Sequence, residues 1–547
     1  MPGSSATRGL VVLGALALLA DPAAAKSLDK YTWLLVVAAI CAFAAAFGIG
    51  ANDVANAFAT SVGAKSISRR QAVVLACIFE FLGSVTLGSS VSETIRKGIA
   101  DPVCFQDNPG LLMWGMTCVI ISTGAWLIAA TFYEMPVSTT HSCVGAIIGM
   151  TMMARDTGCV TWYEETDEFP FMKGVSAIVV SWVLSPFAAG ICAAIIYAIT
   201  HATVLRWGGD TSFRNAKFAF PVIVGFTCAV NVCFFILKGA KAKGDDIGTA
   251  DMLAEAKEGD YSTVFMWSAI SGAIMAFFTA LGVPLMAKIA DEKGRAVDEA
   301  NAATAGTTST DVESSKDGVA FHGQTPIVSK QNSAVVDYVN SELNKDPHAV
   351  LREDNTVGGI HERLHRHDAR TEELFKYVQV FTAIVAAFSH GANDVANAMG
   401  PFAAIWMTWK TGMVATEKED VGDDMYWILV IGGVGICAGL SIYGYKIMEA
   451  IGVKLTAITP SRGYCIELGA AFVVIYGTTQ GWPLSTTHCQ VGSTVGVGLF
   501  NGGSGGVNRK VLLKTLFGWV ATLVVAGFTA AVLVGPSPEP EKSLYCA

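Results

Sequence analysis

The sequence predicts an all-α polytopic membrane protein with about 12 transmembrane segments, including re-entrant hairpins, in two inverted-topology repeats. Three observations support this fold class. The 547 residues are 52% hydrophobic and only 15% charged, with a mean hydropathy of +0.47, whereas soluble domains are about a quarter charged. Long apolar runs alternate with polar loops, which indicates helices, because a barrel would show alternating strands. Finally, two motifs each occur twice along the chain.

Twelve apolar runs are candidate spans, since a helix needs roughly 20 mainly apolar residues to span a bilayer. The fourth and eleventh runs are short, which favours re-entrant hairpins. The candidate spans are residues 32–58, 70–92, 111–133, 136–154, 173–200, 216–238, 262–287, 374–398, 425–448, 462–481, 483–501 and 511–534.

The N-terminus is typical of a signal peptide over residues 1–25, because Arg8 precedes a short apolar run that leads to small residues at Ala23–Ala25. A disordered tail and an uncleaved anchor are the alternatives. The remaining boundaries place the first repeat in 26–287, a polar and mostly disordered cytoplasmic loop in 288–375, the second repeat in 376–535 and a short tail in 536–547.

Charge predicts the orientation. If the N-terminus lies outside, Lys65, Arg69 and Arg70 fall in an inner loop, and most acidic loops fall outside, as expected from the preference of lysine and arginine for the cytoplasmic side. Cys104 and Cys159 would then both lie in outer loops, where they could form a disulfide or remain apart. We expect a multi-pass plasma-membrane protein that uses the secretory pathway.

The polar loop contains His361, His365 and His367. Such a cluster could bind a metal, but a solvated helix face is the favoured interpretation.

The repeated motifs predict an internal duplication. The octet GANDVANA occurs at 50–57 and 391–398, and PVSTTH at Pro136 is matched by PLSTTH at Pro483. The offset is 341 residues between Asp53 and Asp394 and 347 between Ser138 and Ser485. If all twelve segments cross the membrane, an odd number of spans, seven, precedes the second octet, and the two repeats are then predicted to have opposite orientations.

The octets predict cation sites. Residues three or four apart share one helix face, and a carboxylate at mid-membrane costs roughly 2.5–3.5 kcal/mol, so it normally faces a cavity or binds a ligand. Carboxylate and amide oxygens suit a hard cation such as sodium, and the adjacent glycine would ease a local unwinding of each helix. An interhelical hydrogen-bond cluster is the structural alternative. The candidate sodium ligands are Asn52, Asp53, Asn56, Asn393, Asp394 and Asn397.

The two STTH motifs predict an oxyanion site. Proline suits the first turn of a helix, and hydroxyls there cap free N–H groups. A half-helix that begins within the membrane therefore presents donors and a positive dipole end to an anion. An ordinary helix cap is the alternative for either copy by itself. The candidate oxyanion-binding residues are Ser138, Thr139, Thr140, Ser485, Thr486 and Thr487.

Four further polar residues lie in apolar runs. Glu80 and Glu467 could bind a cation, pair with a cation such as Arg462, carry a proton or be structural. His141 and His488 could donate to the anion, orient a hydroxyl or fill a polar core position. All four are predicted to support the function of the two sites.

These motifs, together with SETIRKG from Ser92 and PSRGYCIEL from Pro460, resemble the inorganic phosphate transporter family, and its eukaryotic sodium–phosphate symporters most of all. The resemblance covers nearly all the spans and excludes the N-terminus and the central loop. It implies twelve spans including hairpins, inverted repeats, sodium at the N-D residues, phosphate at the STT residues and a role for Glu80 and Glu467. His390 departs from the first copy, which has Ile49, and is expected to tune the site.

We therefore expect a secondary active transporter that imports inorganic phosphate by sodium-coupled symport through alternating access. The alternatives are a proton-coupled phosphate or sulfate carrier, or a phosphate sensor with little flux. An enzyme is not expected, because the histidines of the STTH motifs follow hydroxyl clusters that have no base–carboxylate partner in the sequence. The expected partners are phosphate, sodium ions (with protons as an alternative) and the lipid bilayer, without nucleic acid or a resident cofactor, and a homodimer is allowed for.

Overall fold

The computed structural model describes residues 28–53, 55–97, 99–166, 171–239, 261–306, 334–414, 426–479 and 484–535. The predicted signal peptide and C-terminal tail lie outside these ranges.

The described chain is almost entirely helical. One two-stranded antiparallel sheet pairs β1 (Glu164–Glu165) with β2 (Met172–Lys173). The helices are α1 (Thr32–Asn52), α2 (Ala55–Gly63), α3 (Arg69–Lys97), α4 (Pro109–Phe132), α5 (Thr139–Ala154), α6 (Val175–Thr203), α7 (Gly209–Gly239), α8 (Ser262–Gly306), α9 (Ala334–Asn344), α10 (Val350–Glu353), α11 (Asn355–Glu362), α12 (Ala369–Thr411), α13 (Tyr426–Tyr443), α14 (Tyr445–Glu449), α15 (Pro460–Thr479), α16 (Thr486–Gly502) and α17 (Arg509–Val534), with a π-helical segment at Ala450–Leu455.

Within the described ranges, seven helical stretches are long and apolar enough to cross a membrane. The helices α5 and α16 contain 16 and 17 residues, which is less than a bilayer crossing requires. They correspond to the short fourth and eleventh predicted spans. Both begin in the interior of the protein, since Ser138 and Ser485, which precede them, are each only 1% exposed.

The two octets differ in backbone conformation. The first is interrupted, because α1 ends at Asn52, Asp53 follows as a turn, and α2 begins at Ala55. The second lies within α12, which is helical over 43 residues. The expected unwinding is therefore found in the first copy and is wrong for the second. In the second copy the glycine serves close packing instead, since a Cβ on Gly391 would lie 2.2 Å from the Glu80 carbonyl oxygen.

The helices of the two halves interleave. The first-half helices α1 and α3 pack on the second-half helices α13 and α12, respectively. The short helices show the same exchange, with α5 packed on α17 and α16 packed on α6. The contacts are close enough that a Cβ on Gly50 would lie 1.9 Å from the Ile436 carbonyl oxygen. Small residues permit this approach of one backbone to another, and both octets are thereby held at the centre of the protein.

Two long helices extend into the predicted polar loop at 288–375. The helix α8 continues to Gly306, and α12 already begins at Ala369. Both helices run past the apolar stretches because their polar ends are rich in alanine, lysine and glutamate, which are good helix formers. Between them, residues 334–362 contain the helices α9, α10 and α11.

The loop histidines do not form a solvated helix face. His361 Nε2 lies 3.0 Å from the Val453 carbonyl oxygen, and His367 Nε2 lies 3.3 Å from the Tyr197 hydroxyl. His365 is exposed. The favoured interpretation was therefore wrong for His361 and His367, because the segment that carries them packs against the transmembrane helices.

Cys104 and Cys159 form a disulfide in the structure. The residues that flank it are also paired, since Ala100 and Val160 form an isolated antiparallel bridge. Of the two alternatives left open by the sequence, the structure contains the bond.

Candidate functional site

The first carboxylate of the site is that of Asp53, which lies at the break between α1 and α2 and is 1% exposed. Asn56 Nδ2 donates to Asp53 Oδ1 at 2.7 Å, and the Thr139 hydroxyl donates to Oδ2 at 2.9 Å. The Thr487 hydroxyl also donates to Oδ1. Burial of an unpaired charge is costly, and here donors from α2, α5 and α16 compensate for that cost.

The second carboxylate, that of Asp394, is held in a similar way inside α12. Asn393 Nδ2 and Asn397 Nδ2 donate to Oδ1 at 3.1 and 3.5 Å. The Thr486 hydroxyl donates to Oδ2 at 3.2 Å. The pairs Asp53–Thr139 and Asp394–Thr486 therefore join the same two motif positions in each half of the chain.

A second pair of contacts crosses between the halves. Asn56 Nδ2 donates to the Thr487 hydroxyl at 3.0 Å, and Asn397 Nδ2 donates to the Thr140 hydroxyl at 3.3 Å. Thr140 and Thr487 occupy the same position of the STTH motif, so this contact is also made twice. The site is therefore built from contacts within each half and from contacts between the halves.

Asn52 contacts a different part of the chain from its octet neighbours. Its Nδ2 donates to the Thr131 hydroxyl and to the Met135 carbonyl oxygen, each at 3.0 Å. Its Oδ1 accepts from the Val137 N–H at 2.9 Å. These bonds fix the segment that leads into α5, so Asn52 orients the first STTH motif relative to Asp53.

The serines of the STTH motifs cap the short helices. Ser138 Oγ accepts from the His141 N–H, and Ser485 Oγ accepts from the His488 N–H, both at 3.2 Å. Serine is a preferred N-cap residue because its oxygen satisfies a free N–H of the first turn. The prediction of a proline in the first turn was wrong for the first copy, since Pro136 lies two positions before the cap; Pro483 lies outside the described residues.

His390 lies among three buried carboxylates. Its Nε2 is 2.6 Å from Asp394 Oδ2 and 3.7 Å from Asp53 Oδ1. On the other side of the ring, Nδ1 is 3.2 Å from the Glu80 carboxylate. The sequence comparison of the octets identified His390 only as a departure from Ile49, whereas the structure makes it the link between Glu80 and both aspartates.

Glu467 lies in a separate cluster of hydroxyl groups. Its carboxylate accepts from Thr60, Ser61 at 3.4 Å, and Thr382, and it is 2% exposed. The sequence reading did not single out these three hydroxyl residues. A signal was present for one of them, since Thr60 follows Asn56 by four positions and therefore extends the polar face of α2.

His141 and His488 meet in an aromatic cluster. Their ring centroids are 4.7 Å apart. His141 Nε2 accepts from the Trp182 indole N–H at 3.1 Å, and the His488 ring stacks on Trp519 with centroids 3.7 Å apart. Of the three roles considered for these histidines, the contacts favour a polar core position where α5 meets α16.

The assembled groups suit both a hard cation and an oxyanion. Oxygen atoms of Asp53 and Asp394 and a ring nitrogen of His390 lie within 4.8 Å of one another, so these groups are candidate ligands of a metal ion. Hydroxyls at the N-termini of α5 and α16 lie beside the same carboxylates, and helix N-termini favour anions. The site can therefore hold opposite charges next to each other in a buried position.

Comparisons with known proteins gave three kinds of similarity. The sequence profile of the phosphate transporter family matches residues 49–530. A phosphate-repressible phosphate permease of Neurospora crassa is 32% identical, with 93% of this chain and 98% of the relative aligned. Sodium-dependent phosphate transporter 2 of Bos taurus is 29% identical, with 93% and 98% aligned. A solved structure described as the sodium-dependent phosphate transporter is 28% identical to this chain and matches it with a TM-score of 0.66. The match covers 92% of this chain and 98% of the chain in that structure.

Proposed function

This chain belongs to the phosphate transporter family, a family of membrane transporters rather than enzymes, and from that premise we propose that it imports inorganic phosphate by sodium-coupled symport with alternating access. The observation that carries the proposal is the twofold contact pattern in which Asp53 binds Thr139 and Asp394 binds Thr486. A carboxylate beside a helix N-terminal hydroxyl, built twice around one centre, supports joint binding of cations and an oxyanion.

Sodium would bind at the two octets. The carboxylates of Asp53 and Asp394 supply charge, and the side-chain oxygens of Asn56 and Asn397 are buried acceptors beside them. Asn52 and Asn393 would orient these ligands. Sodium prefers such hard oxygen donors to sulfur or imidazole ligands.

Phosphate would bind at the N-termini of α5 and α16. The threonine hydroxyls and the free N–H groups of the first turns are donors suited to its oxygens. The proposed phosphate residues remain Ser138, Thr139, Thr140, Ser485, Thr486 and Thr487. The two serines contribute mainly as caps that hold the turns open toward the anion.

The hydrogen bonds suggest why sodium must bind first. In this structure the Thr139 and Thr486 hydroxyls donate their single protons to Asp53 and Asp394. A hydroxyl has one proton to donate, so it cannot serve the carboxylate and a phosphate oxygen together. Sodium bound at the carboxylates would take over those oxygens and release both hydroxyls for phosphate. Binding of the cation would thereby create the anion site.

Energetics require such coupling. Moving one charge across 100 mV is worth roughly 2.3 kcal/mol, so import of an anion into a negative interior is uphill by itself. Two or more sodium ions per phosphate would neutralise the cargo and use the sodium gradient. Movement of the two repeats relative to each other would then expose the site on the inner side. Glu80, through His390, and Glu467, through its hydroxyl cluster, would support this cycle.

Proton coupling is the second candidate. It is favoured by one observation, the His390 ring placed among Glu80, Asp53 and Asp394, because imidazole is the side chain best suited to exchange protons near neutral pH. The distinguishing experiment measures labelled phosphate uptake into proteoliposomes with sodium or choline outside, across a range of pH.

The uptake experiment distinguishes the coupling ion, the substrate class and a sensor without flux. Sodium-dependent uptake supports the proposal, and uptake in choline that follows a pH gradient supports the proton-coupled carrier. Competition by sulfate at equal concentration would widen the substrate class. Phosphate binding without uptake would instead indicate a sensor. Location in the plasma membrane, with both termini outside and residues 288–375 in the cytoplasm, completes the proposal.

A further inference from the structure

A folded segment of the central loop covers one end of the transmembrane helices. We call residues 334–366 the strap; it contains α9, α10 and α11. The strap is anchored by two histidines that each bond to a backbone carbonyl group. His348 Nε2 lies 3.0 Å from the Gly63 oxygen, and His361 Nε2 lies 3.0 Å from the Val453 oxygen.

The two acceptors lie on opposite sides of a tight seam between the halves. Gly63 ends α2, which begins next to Asp53, whereas Val453 belongs to the π-helical segment of the second half. A Cβ on Gly63 would lie 1.9 Å from the Gly452 oxygen, and a Cβ on Gly452 would lie 2.1 Å from the Ala59 oxygen. The two backbones are therefore in direct contact, and the strap bonds to both.

Other contacts reinforce the same seam. Arg69 is 3% exposed; it donates from Nη1 to the Glu342 oxygen of the strap at 3.0 Å and from Nη2 to Glu449 of the second half at 2.9 Å. The hydroxyls of Tyr338 in the strap and Tyr445 in the second half are 2.8 Å apart. Val357 of α11 is 1% exposed, so the strap also buries apolar surface.

The histidine bonds of the strap are suited to neutral imidazole rings at ordinary pH. The carbonyl groups in the last turn of a helix lack partners within the helix, and the neutral His348 ring supplies one N–H to that of Gly63. Burial, reinforced by the nearby Lys65, lowers the pKa of His348 to about 4. The strap is therefore docked through uncharged donors, and it needs no bound ion to hold the seam closed.

We propose that the strap is a built-in brake that holds α2 against the second half and must loosen before phosphate leaves the site on the side that the strap covers. This inference rests on the proposed transport function, because α2 starts at the cation-binding octet and ends at the strap. Movement of one half relative to the other would change the distance between Gly63 and Val453. The strap could not then keep both of its histidine hydrogen bonds, so at least one of them must break.

The first test removes the anchors. The double variant His348→Ala/His361→Ala is compared with the control His365→Ala. The His365 side chain is exposed, and the hydrogen bond from Arg462 goes to its backbone carbonyl group, so the control keeps that bond. Vesicles preloaded with labelled phosphate report exchange through the strap side. We expect exchange to rise at least threefold in the double variant and to stay at the parent rate in the control. Unchanged exchange in a well-expressed double variant would overturn the brake.

The second test fastens the strap and does not depend on removal of a contact. Cysteines at Tyr338 and Tyr445 are joined by a bis-methanethiosulfonate reagent about 10 Å long, and the parent chain treated with the same reagent is the control. Uptake should fall at least tenfold and return on reduction. Full uptake by the cross-linked protein would contradict the proposal even if the double variant failed to fold.

A third readout separates this inference from the transport proposal. A cysteine introduced at Ala64, which directly follows α2, is labelled with a membrane-impermeant maleimide in inside-out vesicles. Loosening of the strap should speed the labelling at least threefold over the parent strap. If neither the parent nor the variants take up phosphate but the labelling rates differ as expected, the transport proposal fails and the strap is still shown to restrain the seam. Equal labelling rates in the parent and the double variant would show that the strap does not restrain the seam.

Discussion

The Asp53 carboxylate accepts a hydrogen bond from the Thr139 hydroxyl at 2.9 Å, across 86 positions of sequence. Asp394 and Thr486 repeat this contact across 92 positions at 3.2 Å. Each bond joins the two motifs of one half, while Asn56 and Asn397 bond to threonines of the opposite half. The site is therefore a shared structure, and changes in either half are expected to affect the whole.

Removal of either carboxylate charge should abolish sodium-dependent uptake. Asp53→Asn and Asp394→Asn keep the shape of the side chain but lose the charge that would attract sodium, so we expect a loss of at least tenfold in the initial rate of labelled phosphate uptake. Surface biotinylation checks that both variants reach the membrane in normal amounts. Parent-like uptake by both would reject the assigned cation sites.

The threonine hydroxyls should be needed as donors, not as space-fillers. Thr486→Val removes the donor at nearly constant volume, and we expect the phosphate concentration for half-maximal uptake to rise at least tenfold. Thr486→Ser retains the hydroxyl and should recover most of the lost affinity. Equal behaviour of the valine and serine variants would show that the hydroxyl does not contact phosphate.

The glycines of the octets should tolerate no side chain. Gly50→Ala places a Cβ 1.9 Å from the Ile436 oxygen, and overpacking of this kind typically costs about 1–3 kcal/mol or more. We expect a lower thermal unfolding temperature for the purified protein in detergent. Gly502→Ala is the matched control, because nothing lies within 4 Å of its Cβ position, and it should unfold at the parent temperature.

The disulfide should both stabilise the protein and report its orientation. Loss of the bond between Cys104 and Cys159 (Cys104→Ser/Cys159→Ser) should reduce stability by roughly 2–4 kcal/mol, the usual effect of a native disulfide. In intact cells, an impermeant maleimide should label the parent chain at these residues only after mild external reduction. Labelling that requires permeabilised cells would place this face inside and reverse the proposed topology.

Acidification should loosen the strap. The pKa of His348 is lowered to about 4 by burial and by Lys65, with Asp346 and the Gly63 carbonyl group opposing that shift. A histidine that docks in its neutral form contributes fully above its ordinary pKa of about 6.5, and the contribution falls as the pH drops toward 4, by roughly 2 kcal/mol at pH 5. Spin labels at Tyr338 and Tyr445 should therefore show a longer distance at pH 5 than at pH 7.5.

His348→Asn supplies the control for that measurement. Its amide N–H can donate to the Gly63 oxygen but does not titrate, so the distance between the labels should stay constant over the same range. A label distance in the parent protein that does not change with pH would contradict the prediction. An asparagine variant that responds like the parent would assign the effect to another group, such as His361.

The two aspartates of the site could be predicted from the sequence, whereas the hydroxyl residues around Glu467 and the contacts of the loop histidines could not. Asp53 and Asp394 were identified because a charged residue repeated in an apolar run is conspicuous. Thr60, Ser61 and Thr382, which surround Glu467, were missed, since isolated hydroxyl residues in helices usually bond to their own backbone. The loop histidines were assigned to solvent because a polar segment gives no local sign of the surface that it contacts.

The sequence by itself determined the membrane class, the helical nature of the apolar runs, the repeated motifs and their polar residues, because hydropathy and repetition can be read along the chain without its fold. Only the tertiary structure decided that the first octet breaks its helix while the second does not. It also placed His390 among three carboxylates and the strap across both halves. These features depend on contacts between residues hundreds of positions apart, and such contacts are set by how the helices pack, which no local pattern encodes.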